Sequence, residues 1–114
     1  MDVSPELEEK IARLQMIEQN IQAFSSQRQS FQMQISEIDH ALKHIESTKE
    51  KPFKIIGNLM IASDAGELKI ELMSLKEVVE LRIKSLEKQE SQLREKADSL
   101  QNEVVGELQK KGGK

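Results

Sequence analysis

The sequence predicts an all-α-dominated protein: a long antiparallel two-helix coiled coil with one central β-hairpin that joins an intersubunit β-barrel. Three observations carry this reading. Apolar residues recur every three or four positions over two long segments of similar length, which is the heptad pattern of a coiled coil. Between the segments lies one short stretch, 53–62, in which two apolar runs flank Gly57-Asn58, a two-residue hairpin signal. The composition is 32% charged and only 3% aromatic, which supplies long polar helices and starves a globular core. All 114 residues then form a single domain, with helix 1 over 5–48, the hairpin over 53–62, helix 2 over 64–109 and a disordered tail over 110–114.

Helix 1 opens at Ser4-Pro5-Glu6: Ser as N-cap, Pro at the first helical position, an acid in the first turn. Its seam alternates steps of three and four through Leu14, Ile17, Ile21, Phe24, Arg28, Phe31, Ile35, Ile38, Leu42 and Ile45. Leu7 and Ile11 extend the stripe with one irregular step near the end. The helix stops before Pro52, because the residue preceding a proline is pushed out of the α region. At ~1.5 Å per residue the helix spans roughly 60–65 Å, too long for a core of this chain to shelter.

In the hairpin, a two-residue turn pairs Ile56 with Leu59, Ile55 with Met60, Lys54 with Ile61 and Phe53 with Ala62. One face shows Phe53, Ile55, Met60 and Ala62. The other shows Ile56, Leu59 and Ile61, with only Lys54 polar. A lone two-stranded hairpin is marginal in water, and this one is apolar on both faces.

Helix 2 opens at Asp64 with Glu67 three residues on, the spacing of a capping box. Its seam runs Leu68, Leu72, Leu75, Val79, Ile83, Leu86, Glu90, Leu93, Ala97, Leu100 and Val104, ending near Leu108. Two successive four-residue steps at Leu75, Val79 and Ile83 form a stutter. Folding the helices back antiparallel matches the seams in a single register, with partners whose position numbers sum to about 114: Leu42 with Leu72, Ile35 with Val79, Ile21 with Leu93, Leu7 with Leu108. Both termini then lie at one tip and the hairpin at the other. Arg28 and Glu90 are the polar residues on the two seams. Either they pair and fix the register, or Arg28 extends along its stem to water.

Several function classes lack their residues. No cysteine is present, which excludes disulfides and thiolate chemistry. The net charge of −3 argues against a nucleic-acid partner. The chain start is charged from Asp2 on and carries no signal-peptide pattern, and no apolar run reaches a membrane span. The expectation is a soluble cytoplasmic protein with no membrane partner. His40 and His44 sit four apart at outward positions with no third ligand in view, so no metal is expected. No Gly-rich phosphate loop occurs, and a two-helix coiled coil offers no dry pocket for acid–base work. Neither an enzyme nor a cofactor site is expected.

The hairpin needs cover, and both helices spend their seams on each other. Phe53, Ile55, Ile56, Gly57, Leu59, Met60 and Ile61 are therefore the candidate oligomerisation residues: unpaired strand edges invite other strands, and copies joined through them close a sheet or barrel. At the opposite tip, Val3, Leu7, Ile11, Val104, Val105 and Leu108 form a candidate surface for varied apolar clients, with Met16 also off the seam. The alternative is that these are ordinary coiled-coil ends and the chain is a structural tether or scaffold.

The order helix, hairpin, helix, with Phe53-Lys54-x-x-Gly57-x-Leu59 and then Leu86-Glu87-Lys88-Gln89-Glu90, resembles the beta-type subunits of prefoldin over nearly the whole chain. Beta-type members carry one hairpin where alpha-type members carry two. The resemblance implies a hexamer of two alpha-type and four beta-type subunits on a β-barrel platform. It also implies an ATP-independent chaperone that holds unfolded proteins at its coiled-coil tips and passes them to a group II chaperonin. By position, Glu103 and Glu107 fall where the family contacts the chaperonin.

Overall fold

The computed structural model describes residues 4–112. The elements follow in the order α1 (Pro5–Ser47), β1 (Phe53–Ile56), β2 (Leu59–Ala62) and α2 (Ala65–Gly112).

Each boundary has a local cause. Leu7 donates its backbone N–H to Ser4 Oγ at 3.1 Å, so Ser4 satisfies one of the orphan donors at the start of α1. At the other end Thr48 N–H donates to the His44 carbonyl at 3.0 Å, and the Ser47 hydroxyl donates to the same oxygen at 3.2 Å. Asp64 caps α2 by accepting the Glu67 N–H at 3.1 Å. α2 continues through Gly112, so 110–112 are helical where a tail is expected from the sequence. A single internal glycine such as Gly106 costs only about 1 kcal/mol, and Lys110 places a cation where the helix dipole favours one.

The hairpin has the register set by its two-residue turn, Ile56 opposite Leu59 and Phe53 opposite Ala62. Gly57 has φ +60° while Asn58 lies outside the left-handed region. That is the pattern of a type II′ turn, which wants Gly at its first central position. Ser63 N–H donates to the Pro52 carbonyl at 3.0 Å, adding a rung that Pro52, without an N–H, cannot extend.

The chain divides into two compact units. One gathers the described residues up to Arg28 with those from Ser85 on; the other is Gln29–Lys84. In the first, Leu7, Leu86, Ala97, Leu100 and Val104 are buried, and Leu14, Ile17, Ile21, Phe24 and Leu93 are half-buried. Arg28 Nε donates to Glu90 Oε1 at 2.8 Å. Glu90 is only 6% exposed, so of the two readings of Arg28 the ion pair holds. The hydrogen bond to Glu90 is the main reason the Arg28 guanidinium is held above its usual pKa. A buried carboxylate needs such a partner, and only one register of the two helices supplies it.

In the second unit, Ile38 and Val79 are buried, flanked by half-buried Phe31, Ile35, Leu42, Leu72 and Ile83. Ion pairs from α1 to α2 line the seam: Asp39 with Lys76 at 2.7 Å and Glu46 with Lys69 at 3.0 Å. The Arg82 guanidinium lies 5.8 Å from the Phe31 ring centroid, within cation–π range. These are the antiparallel partners the matched heptads require. One seam assignment fails. Leu75 is 48% exposed, because successive four-residue steps overshoot the turn by about 40° each and Leu75 is the residue the drift leaves outside.

Candidate functional site

Two surfaces carry the candidate residues, one in each unit. The first is the hairpin. Phe53, Ile55, Ile56, Leu59, Met60 and Ile61 are all between 45% and 71% exposed. Alternation along two short strands sends these side chains to opposite faces, and neither face is covered by the described residues. Lys54 Nζ bonds Glu71 Oε2 at 2.8 Å, tying β1 to the start of α2. On the Phe53 and Ile55 side an apolar cleft of about 530 Å³ opens against Ile45, Leu68 and Leu72. Exposed apolar groups thus lie beside the unpaired edges of a two-stranded sheet.

The second surface lies where α1 begins and α2 ends. Val3 lies outside the described residues. Leu7 is fully buried and Val104 is buried; Ile11 and Leu108 are half-buried. Four of the six tip candidates, Leu7, Ile11, Val104 and Leu108, thus lie on or near the seam, and Leu7 and Val104 present almost no free surface. The physical reason is that the two helices pack right up to Leu7. Val105, 43% exposed, and Met16 point outward. Glu103 and Glu107 both face Lys10. Glu107 accepts a hydrogen bond from Lys10 Nζ, and Glu103 lies 3.8 Å from it. That hydrogen bond to Glu107 is the chief cause of the raised Lys10 pKa. The two acids are therefore engaged across the helix pair.

His40 and His44 are exposed, and among the described residues no group of three or more His, Asp or Glu is placed to hold a metal. No helix among the described residues is long and apolar enough to cross a membrane.

One group escaped sequence reasoning. Ile70, Met73, Val78 and Leu81 are exposed on α2. Their signal was available, since Ile70 and Leu81 are three turns apart on one helix face, but the stronger seam repeat masked it.

The model of the prefoldin subunit family matches residues 8–111. The chain is 32% identical over 114 residues to the prefoldin subunit beta of Pyrobaculum arsenaticum, covering 97% of this chain and 92% of that protein. It is 27% identical to the prefoldin subunit beta of Archaeoglobus fulgidus, covering 98% of each. The crystal structure of the prefoldin beta subunit from Thermococcus strain KS-1 superposes with a TM-score of 0.84 at 28% identity, covering 94% of this chain and 96% of that one. The long helices, the single hairpin and these similarities lead to one conclusion: the chain belongs to the prefoldin subunit family, a family of chaperone subunits, and its similarities lie with the beta-type members.

Proposed function

We propose that this chain works as a beta-type subunit of an ATP-independent holding chaperone in the cytoplasm. Hairpins from two alpha-type and four beta-type subunits join into a β-barrel platform, and the helix ends away from the hairpin hold unfolded proteins and pass them to a group II chaperonin. The observation that carries the reading is the hairpin exposed on both faces. Burying those side chains is worth about 25 cal/mol per Å², and no described part of this chain covers them. At the helix ends, exposed Val105 and Met16 are the first contacts available to an apolar client. Contact with Leu7 or Val104 requires the ends to part. Val3 and Ile11, with Leu108, complete the proposed client surface, and Glu103 and Glu107 the proposed chaperonin contact.

The burial of Leu7 and Val104 favours a second reading, a structural tether whose ends stay closed. One assay separates the two. Deleting 1–7 together with 104–114 should abolish suppression of aggregation of a denatured test protein while the assembled mass, corrected for the deletion, keeps its subunit number. Full holding activity in the deleted form would favour the tether.

A further inference from the structure

The helix ends close over residues that the holding reading needs. Leu7, Leu100 and Val104 are buried, and in this unit only Met16 and Val105 are exposed large apolar residues among the described ones. Polar contacts from α1 to α2 are sparse here. Lys10 Nζ donates a hydrogen bond to Glu107 Oε1 and lies 3.8 Å from Glu103 Oε2. Along α1 the next ion pair to α2 among the described residues is Arg28 with Glu90, about 27 Å further on.

The contact is placed to bind or release the ends. Lys10 is three residues from Leu7, and Glu107 three from Val104, so each charged side chain neighbours a buried one on its own helix. The Lys10 and Glu107 side chains are 30% and 32% exposed, so the pair can separate into water without stranding a buried charge. Lys10 is the one cation among the described residues within 4.0 Å of either acid. Its pKa is raised first by the hydrogen bond to Glu107, then by the charges of Glu107, Glu103 and Glu6. Removing its charge therefore leaves three carboxylates without their shared cation. Gly106 adjoins Glu107, and a Cβ there would meet nothing within 4 Å. Packing thus admits alanine at a position where glycine weakens the helix about fivefold by comparison.

We propose that Lys10 with Glu103 and Glu107 is an autoinhibitory latch: it holds the helix ends closed over Leu7 and Val104 and so sets how much apolar surface an unfolded protein can reach. This rests on the holding reading above and adds its regulation. An unfolded chain that takes hold of Leu7 or Val104 binds the parted form alone, so its apparent affinity scales with the parted fraction. Whatever neutralises Lys10 or draws the two acids away raises that fraction. The acids proposed for the chaperonin contact are the same two, so that contact and the closed latch compete for one pair of carboxylates.

The test uses the full chain at one fixed concentration. Amide hydrogen exchange is followed in peptides covering 5–14 and 98–110. Lys10→Glu should speed exchange there about threefold and leave the peptide around Val79 unchanged. Lys10→Glu with Glu107→Lys restores a pair of opposite charges and should return exchange to the parent rate. Lys76→Glu breaks the ion pair with Asp39 in the other unit and should leave the helix ends as they are. The holding readout is the fluorescence anisotropy of labelled, reduced and carboxymethylated α-lactalbumin, an acidic probe that stays unfolded. Its apparent Kd should fall about threefold for Lys10→Glu and recover in the charge swap. Exchange no faster in Lys10→Glu, no recovery in the swap, or an equal effect of Lys76→Glu overturns the latch, whatever the probe reads. Faster exchange with an unchanged Kd overturns the gating of clients. The deletion of 1–7 with 104–114 then separates the two readings: holding lost on deletion keeps the tip reading, and holding retained removes it as well.

Discussion

Val79→Ala probes the seam that holds the helices together. Val79 is 1% exposed, so nearly its whole side chain is packed. Truncation to Ala removes two methyl groups' worth of burial, about 1.6 kcal/mol at ~0.8 kcal/mol per carbon. The void left behind raises the cost to roughly 2–3 kcal/mol, because neighbours relax only in part. Exposed Met33 on α1 is the control, and Met33→Ala should stay within about 0.5 kcal/mol of the parent. The assay is urea unfolding followed by the helical circular dichroism signal, at one fixed protein concentration because assembly couples to stability. For Val79→Ala the midpoint should fall with the slope unchanged. A Val79→Ala midpoint indistinguishable from the parent, or a Met33→Ala loss as large, would refute the assigned seam.

Three further outcomes follow from the same geometry. Arg28→Leu and Glu90→Leu should each lower the melting temperature, and the double variant should recover most of the loss, since either single change strands a partner on the seam; strictly additive losses would show that the pair is not coupled. Lys10 and Lys76 have raised pKa values, chiefly through hydrogen bonds to Glu107 and Asp39, so their stabilisation is fully present below the ordinary lysine value of 10.5 and is lost as pH rises through the raised values. The melting temperature should therefore hold from neutral pH upward and fall in that alkaline window, and a Lys10→Met, Lys76→Met protein that falls as steeply would contradict the assignment. Asp64→Ala removes the cap on the Glu67 N–H and should cost about 1 kcal/mol in the same urea titration, with no loss counting against the cap.

The parts of the molecule that were legible in the sequence are those governed by local rules. Heptad spacing identified the seam residues, matched seams identified the antiparallel register, and Gly57-Asn58 identified the turn and with it every strand pair. Arg28 and Glu90 were visible as the polar residues on the seams, but whether they met depended on a carboxylate and a guanidinium reaching across two helices, which spacing does not fix. Leu75 escaped because a stutter preserves apolar content while rotating the stripe. How tightly the tip packs is not set by local spacing. Burial of Leu7 and Val104 depends on both helices extending equally far, and Gly106 does not end a helix that runs to Gly112. The outer band of α2 was hidden for another reason: once one face of a helix is assigned to a core, a second apolar stripe reads as background until its exposure is known.

The central claim is that the uncovered hairpin exists to be shared. The most direct measurement is native mass spectrometry of this chain mixed with an alpha-type prefoldin subunit, for the parent and for Ile56→Asp with Leu59→Asp. A particle of two alpha-type subunits and four copies of this chain is expected for the parent, and unassembled chains for the hairpin variant. A parent that stays monomeric, or a hexamer that persists in the variant, would contradict it.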